Sequence, residues 1–372
     1  MDTRPSVMSW LNVVAAGFVA ILLMSLVLPA LATTDADAGK TQCLMKLKAI
    51  AAATQANHDA RLYLPLASTQ PIVNRPGSAI PDAPAGASWL MQLSPFLGQD
   101  SFYDKTFQAT QRLTVPLFTP ELVISHDKER IFPATHRAPE VICPSVPDVS
   151  VSSSDYPGVK AAVGSYFATS GTHFYNRTGV GRLIDGTPPP RSFAFEGNGA
   201  MPFPGVISGK LNRKGRNYAA IRDGLSRTLA FGESRETKTA AWVDGQAMWV
   251  VATWPESASQ PVIELREDGG GRKLPSLKWG PPAPTAASLS LRWEADAEVP
   301  TPYLLAGRWA GSDSREWALS SYHHRAIGHA FCDGHAAMLI DDIDPELYLQ
   351  LVTLVGSDDS DAPNDKFLSV IP

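Results

Sequence analysis

The sequence predicts an α+β protein, with a long N-terminal helix followed by a mostly antiparallel, β-rich domain. Three observations carry this. Met8 to Ala32 contains no charged side chain. Thr41 to His58 places apolar residues at helical spacing. From about Cys143 onward, short β-type runs are separated by Gly, Pro and Asp. Helix first and sheet afterwards reads as α+β rather than as alternating βαβ units.

The apolar run comes first along the chain. A bilayer takes about 20 apolar residues to cross, and Met8–Ala32 meets that length. Arg4 and the α-amino group precede it, partly offset by Asp2, while Asp35 and Asp37 follow. This asymmetry favours an N-terminus inside and the bulk of the chain outside the cytoplasm. Three readings compete: a retained anchor, a signal peptide with an Ala30-Leu31-Ala32 cleavage site, and a buried helix. The anchor is favoured, because the run exceeds the roughly 7–15 apolar residues of a signal-peptide core. Residues 1–7 would then be a short cytoplasmic N-terminus and 8–32 a transmembrane segment. Residues 33–58 would form a projecting helix, and 59–372 an extracytoplasmic α+β domain.

In the projecting helix, Leu44, Leu47, Ile50, Ala51 and Thr54 share a face, while Lys46, Lys48 and Gln55 fall elsewhere. The break before it is short, so span and helix read as one long helix with a kink at Pro29. A turn-rich segment follows from Arg61 to Gly86, then a short helix over Ser88–Lys105. The β-type runs are interrupted by loops at Asp185–Arg191, Arg266–Lys273 and Gly280–Ser288. A short helix ends the domain, with Asp344 as N-cap and Pro345 at its first position.

Composition narrows the function. Lys and Arg total 32 against 37 Asp and Glu, a net charge of −5, so no basic footprint for nucleic acid exists. The 31 prolines and 28 glycines suit turns and short strands better than a helical bundle. Cys43, Cys143 and Cys332 lack C-x-x-C spacing and allow at most one bridge.

The densest chemistry lies in SYHHRAIGHAFCDGHAAMLIDD, Ser321 to Asp342, with four of the eight histidines. Asp333-Gly334 signals a two-residue type I′ hairpin turn. That register sets Cys332 opposite His335, Phe331 opposite Ala336 and His329 opposite Met338. His329 then shares a face with Phe331, while Cys332 and His335 share the other. A zinc site needs three or four ligands, and the hairpin divides the candidates between faces. No metal is expected there. Glu233 and Glu236, in FGESRE, read as a solvated strand end rather than an acid pair. Seven of nine tryptophans fall between Trp242 and Trp317, a stacking platform for sugars or, more simply, core aromatics. The acidic tail Gly356–Asp365 reads as solvated, and Asn176-Arg177-Thr178 as a formal glycosylation triplet without consequence. Metalloprotease, nucleophile-elbow, P-loop and dinucleotide motifs are absent. No catalytic residue and no cofactor are expected.

Nine residues separate His323 from Asp333-Gly334. With Asn57-His58-Asp59, Tyr63-Leu64-Pro65, SWLMQLSPFLGQDSFYD, Val141-Ile142-Cys143-Pro144-Ser145 and IRDGLSRTLAFGE, this order resembles a family of prepilin-like proteins of unknown function. They abound in planctomycete-type bacteria and carry a C-terminal H-x9-DG signature. The resemblance implies a pseudopilin-like fold and makes His323, Asp333 and Gly334 the family-motif residues. It departs at the prepilin site, where Val7 stands for the glycine before the scissile bond, Met8 follows it and Asn12 replaces a glutamate.

The expectation is therefore a non-enzymatic, single-pass envelope protein with a structural or interaction role in a pilus- or secretion-type assembly. Its partners would be membrane helices, envelope proteins or its own copies, with lipid around residues 8–32 and no nucleic acid. The alternatives are a periplasmic or surface carbohydrate-binding module and a metal-dependent envelope hydrolase.

Overall fold

The computed structural model describes residues 7–74, 86–110, 113, 115–117, 122–146, 150–151, 160–171, 174–175, 193–207, 210–235, 240–245, 247–252, 262–267, 273–278, 304–306, 319–323, 326–340, 343 and 345–354. The class is α+β: the described residues form four α-helices and several sheets, and their strand pairings are antiparallel except one.

The principal sheet has six strands: β1 (Tyr166–Thr169), β2 (Leu229–Glu233), β3 (Trp249–Ala252), β4 (Leu304–Ala306), β5 (Ala326–Phe331) and β6 (Ala336–Ile340). Their order is β4-β3-β1-β2-β5-β6, with only β3 and β1 parallel. β1, β2 and β5 are buried along their whole length, which suits their runs of Ala, Phe and Leu. A second sheet of five strands runs Ile72–Asn74, Phe193–Gly197, Phe174–Tyr175, Lys273–Lys278 and Val262–Glu267 in that order.

Helix α1 is helical from Val7 to Arg61, with no interruption at Pro29 or between Thr33 and Lys40. Its C-terminal part packs on β5 and β6 through Cys43, Leu47, Ile50 and Ala51, all buried. These are the positions that helical periodicity selects. Asn57 Nδ2 then donates to the carbonyl of Tyr63 at 2.9 Å, holding the chain as it leaves the helix. Farther back, Val13, Val14, Phe18, Val19 and Ile21 are exposed. Among the described residues, no helix is long and apolar enough to cross a membrane. Most side chains of residues 7–32 lie outside the described residues, those of Val7, Met8 and Asn12 included.

The helix expected over Ser88–Lys105 is divided. Ser88 caps α2 (Trp89–Leu93) by accepting from the Met91 N–H, a 3-10 turn covers Ser94–Phe96, and α3 runs Asp100–Ala109. Pro95 and the positive φ of Gly98 (+75°) break the α-helical path between them. At the C-terminus, α4 runs Pro345–Val352 and packs on the sheet near β2; the expected N-cap Asp344 lies outside the described residues.

The core gathers Trp89, Trp242, Trp249, Tyr166, Phe167, Phe203 and Phe231, with Trp89 tilted over Phe231 at 4.7 Å. Trp242 and Trp249 are thus core aromatics, not a sugar platform. Their indole N–H groups donate to the carbonyls of His136 and Gly245. The other five tryptophans of the cluster, the acidic tail and the glycosylation triplet lie outside the described residues.

Candidate functional site

The hairpin differs from expectation by one residue. His329 pairs with Ala337 and Ala330 with Ala336, so the loop is Cys332-Asp333-Gly334. The Gly334 N–H donates to the Phe331 carbonyl at 3.0 Å, and the Phe331 N–H to the His335 carbonyl at 2.9 Å. Of the two expected turn residues, Asp333 and Gly334, only Gly334 has positive φ, at +90°. A type I′ turn needs positive φ at both, so this loop is a type I turn closed by a glycine bulge. Asp333 adopts ordinary geometry, and its carboxylate accepts from the His335 N–H at 3.0 Å.

The shifted register regroups the histidines. His335 now stacks on Phe331 at 4.1 Å between ring centroids, on the face once expected to exclude it. His329 is fully buried, with Nδ1 2.9 Å from the Ile327 carbonyl and Nε2 3.1 Å from the Tyr348 hydroxyl. Burial pushes its pKa down to about 4, against the opposing pull of that carbonyl. Cys332 is a buried free thiol whose pKa burial pushes up. These three side chains do not converge.

His323 goes elsewhere. It is 5% exposed, with Nε2 3.9 Å from Glu233 Oε1 and 3.9 Å from Cys143 Sγ. Cys143 forms a disulfide with Cys43 of α1, the Cα atoms 5.4 Å apart. Glu233, expected at a solvated strand end, is instead fully buried at the end of β2. The apolar Leu229–Phe231 draws the strand into the middle of the sheet, and the glutamate follows. Its Oε2 accepts from the Ser321 hydroxyl at 2.9 Å and the Gly328 N–H at 3.3 Å. Its Oε1 has no hydrogen-bond partner among the described residues. Burial pushes the carboxyl up to about 7, moderated by those two hydrogen bonds. Burial also lowers the His323 pKa, helped by the nearby charge of Lys40.

The spacing between His323 and Asp333-Gly334 now has a physical meaning. His323 lies beside Cys43 and Cys143, whereas the other end of the hairpin meets Gln55, whose Nε2 donates to the Asp333 carbonyl at 2.5 Å. From Cys43 to Gln55 a helix rises roughly 18 Å at 1.5 Å per residue. The five steps of β5 cover roughly 17 Å. Strand and helix therefore run side by side and touch at both ends. Between those ends a Cβ on Gly328 would lie 2.4 Å from Leu47 Cδ1 and 3.2 Å from Glu233 Oε2, so a side chain there would displace Leu47.

Three segments far apart in sequence, VICPS, AFGES and the one containing His323, thus meet at one buried point against α1. Residues 37–346 match a family described as "Protein of unknown function (DUF1559)". The chain belongs to this family. No curated protein and no solved structure matches it. In this DUF1559 protein the sequence singles out His323, Asp333 and Gly334 by resemblance alone. It misses Glu233 and leaves the cysteine pairing open. The available signal was the apolar strand ahead of Glu233, which argues for burial.

Proposed function

We propose that this protein is a non-enzymatic, membrane-anchored envelope protein of the prepilin-like, H-x9-DG type, with its domain outside the cytoplasm. The observation that carries this reading is the architecture of α1. Its C-terminal part is packed into the domain and joined to it by the Cys43–Cys143 disulfide. Its earlier part exposes Val13, Val14, Phe18, Val19 and Ile21, within a charge-free run that a bilayer or neighbouring helices would cover. A disulfide persists in oxidising compartments and is rare in the cytosol, which supports the outside placement. The domain then acts as the rigid head of an anchored helix, holding partners in a pilus- or secretion-type assembly. No observation among the described residues favours sugar binding or hydrolysis. Trp242 and Trp249 are buried, and the Glu233–His323 cluster lies under α1.

Membranes extracted with alkaline carbonate should retain the protein, and its intact mass should include the first seven residues. Val7 is β-branched and bulky where prepilin processing wants a residue without a side chain. A soluble product beginning at Thr33 would show a cleaved signal peptide and sink the anchor. A mature N-terminus at Met8 would show that Val7 is accepted.

A further inference from the structure

Cys43, Cys143, Glu233 and His323 each offer a metal-ligating atom, and these four atoms all lie within 4.8 Å of one another. All four residues are buried. Four ligands around zinc, at bond lengths of about 2.0–2.3 Å, stand roughly 3.3–3.8 Å apart. The two separations from His323 Nε2, to Glu233 Oε1 and to Cys143 Sγ, are each 3.9 Å. Small side-chain movements would suffice, with the two sulfurs parting once the bond between them is broken.

The second observation is the unsatisfied oxygen. Among the described residues Glu233 Oε1 has no hydrogen-bond partner, and it faces His323 although the residue is fully buried. A buried carboxylate oxygen left unpaired is costly, and a cation between it and the imidazole would satisfy it. The other oxygen is held by Ser321 and the Gly328 N–H, the kind of outer hydrogen bonding that orients a ligating carboxylate. Two thiolates and one carboxylate around a divalent ion leave one negative charge, and Lys40 is near enough for its charge to act on His323.

We propose that the chain with Cys43 and Cys143 reduced binds one zinc ion through Cys43, Cys143, Glu233 and His323, so that one site alternates between a disulfide and a metal centre. Thiolate, imidazole and carboxylate in fourfold coordination suit zinc. The two states exclude each other, because bonded sulfurs have no thiolate charge to give. Either state ties α1 to the domain at the same place. Reduction by a phosphine moves two electrons from phosphorus to the two sulfurs. Water supplies the two protons that complete the thiols, and its oxygen leaves on the phosphine oxide. Zinc binding then releases those two protons as both thiols become thiolates.

The test uses the full-length chain in detergent, oxidised or phosphine-reduced, titrated with cobalt as a spectroscopic stand-in for zinc. The reduced chain should take up one cobalt with tetrahedral and thiolate-to-metal bands, displaced by zinc, and the oxidised chain none. Cys143→Ser and His323→Ala should each weaken binding by more than the roughly 10–100-fold that loss of an outer partner costs, while Cys332→Ser should bind as the parent does. If reduction unfolds the chain, circular dichroism should show zinc restoring structure in the parent and not in His323→Ala. A reduced chain that takes up no cobalt and gains no structure with zinc overturns the proposal. So does uptake that is equal in the oxidised chain, unchanged in His323→Ala, or dependent on Cys332.

Discussion

His323 Nε2 stands 3.9 Å from Glu233 Oε1, and the serine that steadies that carboxylate, Ser321, also accepts the His323 N–H at 3.0 Å. Histidine, serine and glutamate thus form one buried network, placed where α1, the Cys143 loop and the end of β2 meet. Its neighbours are a disulfide and a helix rather than solvent. The consequences are therefore read in stability, in pH dependence and in how α1 is held.

The hairpin tip should tolerate no side chain at Gly334. Its φ is +90°, and a Cβ there would lie 2.6 Å from Gln55 Nε2. Gly334→Val should cost about 1–3 kcal/mol from backbone strain alone, with more from displacing Gln55. His335→Ala should be milder, losing its stacking on Phe331 at a half-exposed position. Denaturant melts of the two variants would check the order, and equal losses would count against the tip contact.

Removing the disulfide should loosen α1. Cys43 and Cys143 are 100 residues apart in sequence, and loss of a native bridge typically costs about 2–5 kcal/mol. The Cys43→Ser, Cys143→Ser double variant, measured in chelator, should melt well below the parent and gain protease sensitivity in α1. Cys332→Ser should leave the sensitivity of α1 unchanged, because that thiol sits at the hairpin.

Two buried groups should give opposing pH slopes. Glu233 titrates near 4.5 unfolded and at about 7 folded, so between those values the unfolded chain binds fewer protons and stability falls as pH rises. His329 titrates near 6.5 unfolded and at about 4 folded, so its contribution is present above 6.5 and lost as pH falls toward 4. Each amounts to about 3 kcal/mol across its window. Glu233→Gln should therefore gain on the parent as pH rises from 4.5 to 7. His329→Leu should show stability declining over the same range. Curves parallel to the parent in both variants would refute these assignments.

Asn57 should matter although it belongs to neither the His323–Glu233 network nor the disulfide. Its Nδ2 donates to the Tyr63 carbonyl, and the next residue, His58, stacks on Tyr218 at 3.6 Å. Asn57→Ala should cost about 1 kcal/mol and speed amide exchange over the last turn of α1. Unchanged exchange there would argue that Tyr218 holds the helix end alone.

The class, the buried face of α1 and the existence of the hairpin follow from the sequence, because helical and strand periodicities are local and the burial they imply is one-sided. Leu47 and Ile50 fall where their spacing puts them, and Asp333-Gly334 marks the turn. The hairpin register does not follow, since one glycine in the left-handed region serves a glycine bulge as well as a type I′ turn. Geometry at Asp333 decides between them. Only the tertiary structure decides the site: Glu233 looks solvated until β2 takes a central place in the sheet. Cys43 finds Cys143 rather than Cys332 because α1 lies along β5 with its Cys43 end beside His323. Contacts of that kind join segments a hundred residues apart, and no local pattern encodes a distance that the packing of a helix on a strand creates.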